Sequence, residues 1–149
     1  MKHILLVDDD SRDVELTLAA LEENHLANKV TVAKNGEVAL DYLYRRGKFE
    51  TRDEGHPILV LLEFKMAKID GLEVLKTIKA DENLKGIPVV LLTSSAEAQD
   101  LIHFNENGLS AYLRKPVDFS EFMQAVRQIG LFWAAVEQSP IVLSPDPYD

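Results

Sequence analysis

Short apolar runs alternate with amphipathic stretches along this chain, and this alternation limits its fold more than any other feature. Runs of three to five mostly apolar residues are typical of strands that are buried on both faces of a sheet; they cover residues 4–7, 30–33, 58–62, 89–92 and 111–113. Each run is followed by a stretch whose apolar residues recur at helical spacing. This repeated β-α pattern predicts an α/β fold in which helices cover both faces of a parallel sheet.

Polar residues that can cap a helix precede several of the amphipathic stretches. Ser11, Asn35 and Asp118 stand near the start of the first, second and fifth predicted helices, where their side chains can accept bonds from free backbone N–H groups. Ser94 and Glu97 have capping-box spacing for the fourth predicted helix. We therefore expect helices to begin near these residues.

The composition excludes several functional classes. The chain has 25 acidic and 16 basic residues and a net charge of −9, which disfavours binding to the negative phosphates of nucleic acid. The absence of cysteine excludes disulfides, thiolate catalysis and zinc-finger sites. No apolar run approaches the ~20 residues of a membrane span, and the first run is too short for a signal peptide. We therefore expect a cytoplasmic protein without nucleic-acid or membrane contacts.

The length of 149 residues is that of one domain. Residues 45–57 are polar and form a connection longer than most in a compact domain, which suggests that it has a role of its own. The last segment contains three prolines after residue 139, which exclude a regular helix there. We predict one domain over residues 1–135 and a proline-rich C-terminal tail over residues 136–149.

Charged and hydroxyl side chains stand at the carboxyl ends of four predicted strands: Asp8 and Asp9, Glu63, Thr93 and Lys115. Ligands of open α/β sheets bind at this edge. Carboxylate oxygens suit Mg²⁺, a threonine can donate to a phosphoryl oxygen, and a lysine can hold one as a point charge. Each residue alone is an ordinary loop residue, but together they predict a site for Mg²⁺ and a phosphoryl group.

These strand-end residues, with Asp70-Gly71 and Pro116, resemble the receiver domain of two-component response regulators over about residues 2–133. The resemblance implies a doubly wound, flavodoxin-like fold, with five parallel strands in the order 2-1-3-4-5 flanked by five helices. It also implies phosphotransfer from a sensor histidine kinase to an aspartate at the end of the third strand. A protein of this family is a signalling module rather than an enzyme.

The resemblance also implies a role for each matching residue. The Mg²⁺ ligands would be Asp8, Asp9, the acceptor-position residue Glu63 and the backbone carbonyl of Lys65. The remaining roles fall to Thr93 as the switch hydroxyl, Tyr112 as the switch aromatic and Lys115 as the phosphoryl-binding lysine, with a cis bond between Lys115 and Pro116.

Three segments look like the subgroup of receivers that is paired with bacterial phytochromes: residues 45–57, residues 115–119 and Phe132-Trp133. The partner would then be a sensor histidine kinase of the phytochrome type. The contact surface would be the face formed by the fourth helix, the fifth strand and the fifth helix. Aromatic residues from Phe119 to Trp133 are either core or part of a homodimer surface on this face.

The acceptor position departs from the family pattern, because Glu63 stands where the family has aspartate. Its carboxylate lies about 1.5 Å further out, and in-line phosphotransfer depends on positioning to about 1 Å. Two neighbours, Lys65 and Ala67, also depart. We therefore expect no stable phosphoryl group at Glu63 and only weak binding of Mg²⁺.

Glu63 has three interpretations. It could imitate a phosphorylated acceptor, which predicts Tyr112 pointing inward, or form a plain ion pair with Lys115 or Lys65, which predicts Tyr112 pointing to solvent. It could also be an engineered change in a phosphorylatable protein. We expect a partial bias toward the active arrangement, with Tyr112 inward in some molecules.

The whole chain has two alternative functions. It could be a phosphorylation-independent pseudo-receiver or a flavodoxin-like cofactor-binding enzyme. The enzyme would need a phosphate-cradling loop after the first strand.

Overall fold

The computed structural model describes residues 3–23, 29–52, 55–64, 66, 70–93 and 104–130. Some of the predictions lie outside these residues. They are the carbonyl ligand on Lys65, the helix after Thr93, the Phe132-Trp133 pair and the tail from residue 136.

The five strands form one parallel sheet in the order β2-β1-β3-β4-β5, which confirms the fold class. The strands are β1 (His3–Val7), β2 (Lys29–Ala33), β3 (Leu59–Glu63), β4 (Val89–Thr93) and β5 (Ala111–Arg114). After β1 the chain first adds β2 on one side and then crosses to β3 on the other. The strand order therefore reverses between β1 and β3, and such switch points are where open α/β sheets bind ligands.

Helices cover both faces of the sheet, as the repeated β-α pattern predicted. The described helices are α1 (Ser11–Glu23), α2 (Gly36–Tyr44), α3 (Gly71–Ala80) and α4 (Phe119–Gln128), the last being the fifth of the predicted helices. Buried residues of α2 and α3 pack in one apolar cluster with one face of the sheet. Those of α1 and α4 pack in a second cluster on the opposite face. None of the described helices is long and apolar enough to cross a membrane.

The central strands are apolar throughout because both of their faces are covered. On β3, Val60 and Leu62 pack towards α2 and α3, whereas Leu59 and Leu61 pack towards α1 and α4. Side chains alternate along a strand, so Glu63 extends from the α1–α4 side of the sheet. The same alternation that buries the core therefore directs this carboxylate towards α1.

Two of the predicted caps are confirmed and one is wrong. Asn35 accepts a bond of 2.8 Å from the backbone of α2, and Asp118 accepts one of 3.0 Å from the backbone of α4. At α1 the capping side chain is Asp10 rather than Ser11, since Asp10 accepts bonds of 2.9 and 3.1 Å from the first turn. The acidic run offers several possible caps, and the loop path places Asp10 one residue before the helix.

The polar segment at residues 45–57 is folded against α2 where it is described. It contains a 3-10 helix over Gly47–Phe49, which the sequence analysis did not predict. Arg45 ends α2 in the left-handed region, with φ 54°. The Arg52 guanidinium lies 4.1 Å from the centre of the Tyr42 ring, and its Nε donates to the Tyr42 carbonyl at 3.1 Å. These contacts hold the connection to the body of the domain.

Candidate functional site

The carboxyl ends of the strands bring three of the predicted site residues to one edge of the sheet. Asp8 follows β1 directly, and Glu63 and Thr93 are the last residues of β3 and β4. All three are buried. Lys115 follows β5, and its backbone N–H donates to the Thr93 carbonyl at 2.8 Å. Parallel strands end at a common edge, so residues far apart in the sequence meet here.

The Lys115 ammonium lies among three carboxylates. Its Nζ is 2.8 Å from Asp8 Oδ2 and 2.9 Å from Asp13 Oδ2, and it also contacts Glu63 Oε1. The contact with Asp8 is an ion pair without hydrogen-bond geometry, whereas those with Asp13 and Glu63 are hydrogen bonds. The Lys115 side chain is only 8% exposed, so these interactions are poorly screened by water.

These contacts determine the protonation state of Lys115. Burial by itself lowers the pKa of the ammonium, but the contacts with Asp8, Glu63 and Asp13 together outweigh burial, and the pKa is raised. Lys115 is therefore a permanent cation at neutral pH. Three carboxylates and one ammonium leave the cluster with an excess of negative charge.

The loop after β1 is held by its own acidic side chains. The Asp10 backbone N–H donates to Asp8 Oδ1 at 3.0 Å, and Asp10 in turn caps α1. A hydrogen bond from the Asp13 backbone is the main reason that the pKa of Asp10 is lowered. Together these bonds fix the first turn of α1, from which Asp13 reaches Lys115.

A glycine lets α3 begin directly against the end of β3. A Cβ on Gly71 would lie 2.9 Å from the Phe64 carbonyl oxygen and would collide with that of Glu63. Asp70 caps the helix at this point with a bond of 3.0 Å from the Glu73 backbone. The Asp70-Gly71 pair thus positions the backbone of the acceptor residue.

The structure brings together Asp8, Glu63 and Lys115, as predicted, and adds Asp13, which the sequence analysis missed. The only signal for Asp13 was an acidic residue in the first turn of a helix that begins at the site. Asp9 is exposed and lies outside this carboxylate group, so its role as a metal ligand stays a prediction.

The carboxylate group fits a divalent cation in its chemistry. One oxygen from each of Asp8, Asp13 and Glu63 lies within 4.8 Å of the others, and hard oxygen ligands suit Mg²⁺. Lys115 already contacts all three residues. A metal ion would therefore have to share these carboxylates with the ammonium.

Tyr112 points outward in this structure, and the expected partial bias, with the ring inward in some molecules, stays a prediction. The residue is 47% exposed and lines an open groove between β5 and α4 together with Glu121 and Gln124. The outward ring agrees with the interpretation in which Glu63 forms a plain ion pair with Lys115. The predicted cis bond between Lys115 and Pro116 is present.

Comparison with known proteins agrees with this geometry. The family model for the response regulator receiver domain matches residues 4–127. The chain belongs to this family. It is 36% identical over 137 residues to the probable methanogenesis regulatory protein FilR2 of Methanothrix harundinacea, covering 92% of this chain and 86% of that protein.

Two solved structures are similar over nearly the whole chain. The bacteriophytochrome response regulator AtBRR is 50% identical, with a TM-score of 0.85, covering 93% of this chain and 99% of that one. The Mn²⁺-bound form of the response regulator Rcp1 is 33% identical, with a TM-score of 0.74, covering 94% of this chain and 99% of that one. The protein is thus a receiver related to phytochrome-associated regulators.

Proposed function

We propose that this protein is a response regulator of a two-component pathway that signals by protein–protein contact and takes no stable phosphoryl group at Glu63. The observation that supports this is the ion pair between Glu63 and Lys115 at the acceptor position. The residue that should receive the phosphoryl group is instead paired with the residue that should bind it.

The chemistry of phosphotransfer explains why this pair opposes phosphorylation. The acceptor oxygen must approach the phosphorus in line with the leaving group. A glutamate carboxylate starts about 1.5 Å further out than an aspartate carboxylate, and an error of about 1 Å can cost on the order of 100-fold in rate. Attack by Glu63 would also separate it from Lys115 in a largely buried site.

The proposed partner is a sensor histidine kinase of the bacterial phytochrome type, in line with the name of AtBRR. The proposed contact face comprises β5, α4 and the predicted fourth helix, and it also serves as a candidate homodimer surface. Tyr112 is exposed on this face.

We further propose that the protein is cytoplasmic and has no enzymatic activity of its own. It consists of one domain over residues 1–135 with a tail over residues 136–149.

We also propose that Mg²⁺ binds weakly at the carboxylates of Asp8, Asp9 and Glu63, with the Lys65 carbonyl as a further ligand. The Mn²⁺-bound state named for Rcp1 supports a divalent cation. A ligand that binds only the folded state raises the melting temperature. Millimolar MgCl₂ should therefore raise it slightly above a matched monovalent salt, and no difference would contradict the proposal.

Incubation with acetyl phosphate and Mg²⁺, followed by intact-mass measurement, tests the proposed function. The native protein should show no added phosphoryl group, whereas Glu63→Asp should gain one as acetate leaves. Glu63→Gln is the matched control and should gain none. A phosphoryl group on the native protein that disappears in Glu63→Gln would contradict the proposal. A Glu63→Asp variant that stays unmodified would favour a phosphorylation-independent pseudo-receiver.

A further inference from the structure

Asp13 is the one carboxylate of the site that does not come from the end of a strand. It lies in the first turn of α1, 102 residues from Lys115 in the sequence, and its Oδ2 accepts a bond of 2.9 Å from Lys115 Nζ. The capping bonds of Asp10 fix this turn. The contact is therefore built by the fold of the loop after β1 and not by the sheet.

Carboxylates crowd Lys115 Nζ while this contact exists. Of the three N–H groups that an ammonium carries, Lys115 donates two, to Asp13 and Glu63, and Asp8 Oδ2 also lies 2.8 Å from Nζ as an ion-pair partner. A phosphoryl oxygen that approaches Lys115 therefore competes with these carboxylates. The question is which of them leaves at the lowest cost.

Burial distinguishes the three carboxylates. The Asp8 side chain is 0% exposed, that of Glu63 is 12% exposed and that of Asp13 is 35% exposed. Separating a buried carboxylate from its cation leaves an uncompensated charge at low dielectric, which is strongly unfavourable. A carboxylate that is 35% exposed can be solvated instead, so separating it from the lysine costs less than separating either of the other two. Asp13 is therefore the partner that can leave.

We infer that Asp13 is a positioning residue that holds Lys115 in the resting state and is the carboxylate that would release it to an incoming phosphoryl oxygen. In the native protein, which under the proposed function takes no stable phosphoryl group at Glu63, Asp13 keeps Lys115 engaged. Where the acceptor position holds aspartate instead, Asp13 competes with phosphorylation and sets how readily Lys115 becomes available. The inference goes beyond the proposed function, because the contact between Asp13 and Lys115 exists without phosphorylation. The contact between Asp13 and Lys115 would thus regulate the site from α1, in addition to the contacts among the residues at the strand ends.

The first test uses the Glu63→Asp background, in which the site can be phosphorylated. At a fixed, sub-saturating concentration of acetyl phosphate, adding Asp13→Asn should raise the ratio of phosphorylated to unphosphorylated protein about two- to fivefold, the range expected for a half-exposed pair. Asp13→Glu should keep the ratio low. Glu15→Gln, an exposed charge change on the same helix, is the control and should leave the ratio unchanged. An unchanged or lower ratio in Asp13→Asn would overturn the inference.

The second test separates this inference from the proposed function, because it needs no phosphorylation. The ¹H–¹⁵N NMR signal of the Lys115 ammonium, assigned by its loss in Lys115→Met, should be visible in the otherwise native protein because three carboxylates shield it from water. Asp13→Asn should shift the signal and speed its exchange with water, whereas Glu15→Gln should not. If Asp13→Asn leaves both unchanged, the inference fails, whatever the result of phosphorylation.

Discussion

Replacing Lys115 with methionine tests the whole carboxylate site, because methionine keeps much of the side-chain volume and removes the charge and the N–H donors to Asp13 and Glu63. The variant leaves Asp8 and Glu63 largely buried without their cation. Breaking a buried ion pair by removing one partner costs about 3–5 kcal/mol, and the half-exposed Asp13 adds at most about 1 kcal/mol. In a chain of this size, each kcal/mol corresponds to roughly 2–4 °C, so the melting temperature should fall by about 6–24 °C.

Mg²⁺ should restore part of this loss. Without the ammonium, a divalent cation is the remaining partner for the three carboxylates, and at about 100 times its dissociation constant it would contribute about 2.7 kcal/mol. The assay is a thermal melt of native protein, Lys115→Met and the exposed control Lys76→Met, each with MgCl₂ and with a matched monovalent salt. A Lys115→Met variant that melts like the control and gains no more from Mg²⁺ than the native protein would refute the reasoning.

The raised pKa of Lys115 also determines how the difference in stability between the native protein and Lys115→Met depends on pH. Its pKa is raised above the ordinary value of 10.5 in the folded protein. The stabilisation is therefore fully present below pH 10.5 and is lost only as the pH rises through the folded-state pKa. Between neutral pH and about pH 9, titration of Lys115 should thus leave the difference between native protein and Lys115→Met unchanged.

Other substitutions test the elements around the site. Gly71→Ala should lower the free energy of unfolding by about 1–3 kcal/mol in a urea titration, because the added Cβ meets the carbonyls of Glu63 and Phe64; an unchanged midpoint would contradict this. Asp10→Ala should lower the melting temperature at neutral pH. Because the pKa of Asp10 is lowered from 3.8, that effect should fade as the pH falls below 3.8, and a pH-independent effect would count against the cap. Tyr112→Ala should change stability by less than about 0.5 kcal/mol, whereas a loss of several kcal/mol would show that the ring packs inward.

Much of the fold could be predicted because it depends on local patterns. Strands covered on both faces are continuously apolar, so their positions are visible in the sequence, and the helices between them follow from spacing. The convergence of Asp8, Glu63 and Lys115 could also be predicted, since all parallel strands end at one edge. The strand order came from the resemblance to receivers, because periodicity alone does not distinguish one order from another.

Only the tertiary structure decided which charges meet at that edge. Asp13 reaches Lys115 from a first turn of α1 that Asp10 rather than Ser11 caps, and the loop that leads to this turn has no periodic signal. The outward ring of Tyr112, which lines the groove between β5 and α4, likewise has no signal in the spacing along the strand. The sequence by itself determined the sheet and the identity of most site residues. Long-range side-chain contacts determined which cation pairs with Glu63, because ion pairing depends on distances that only the folded chain defines.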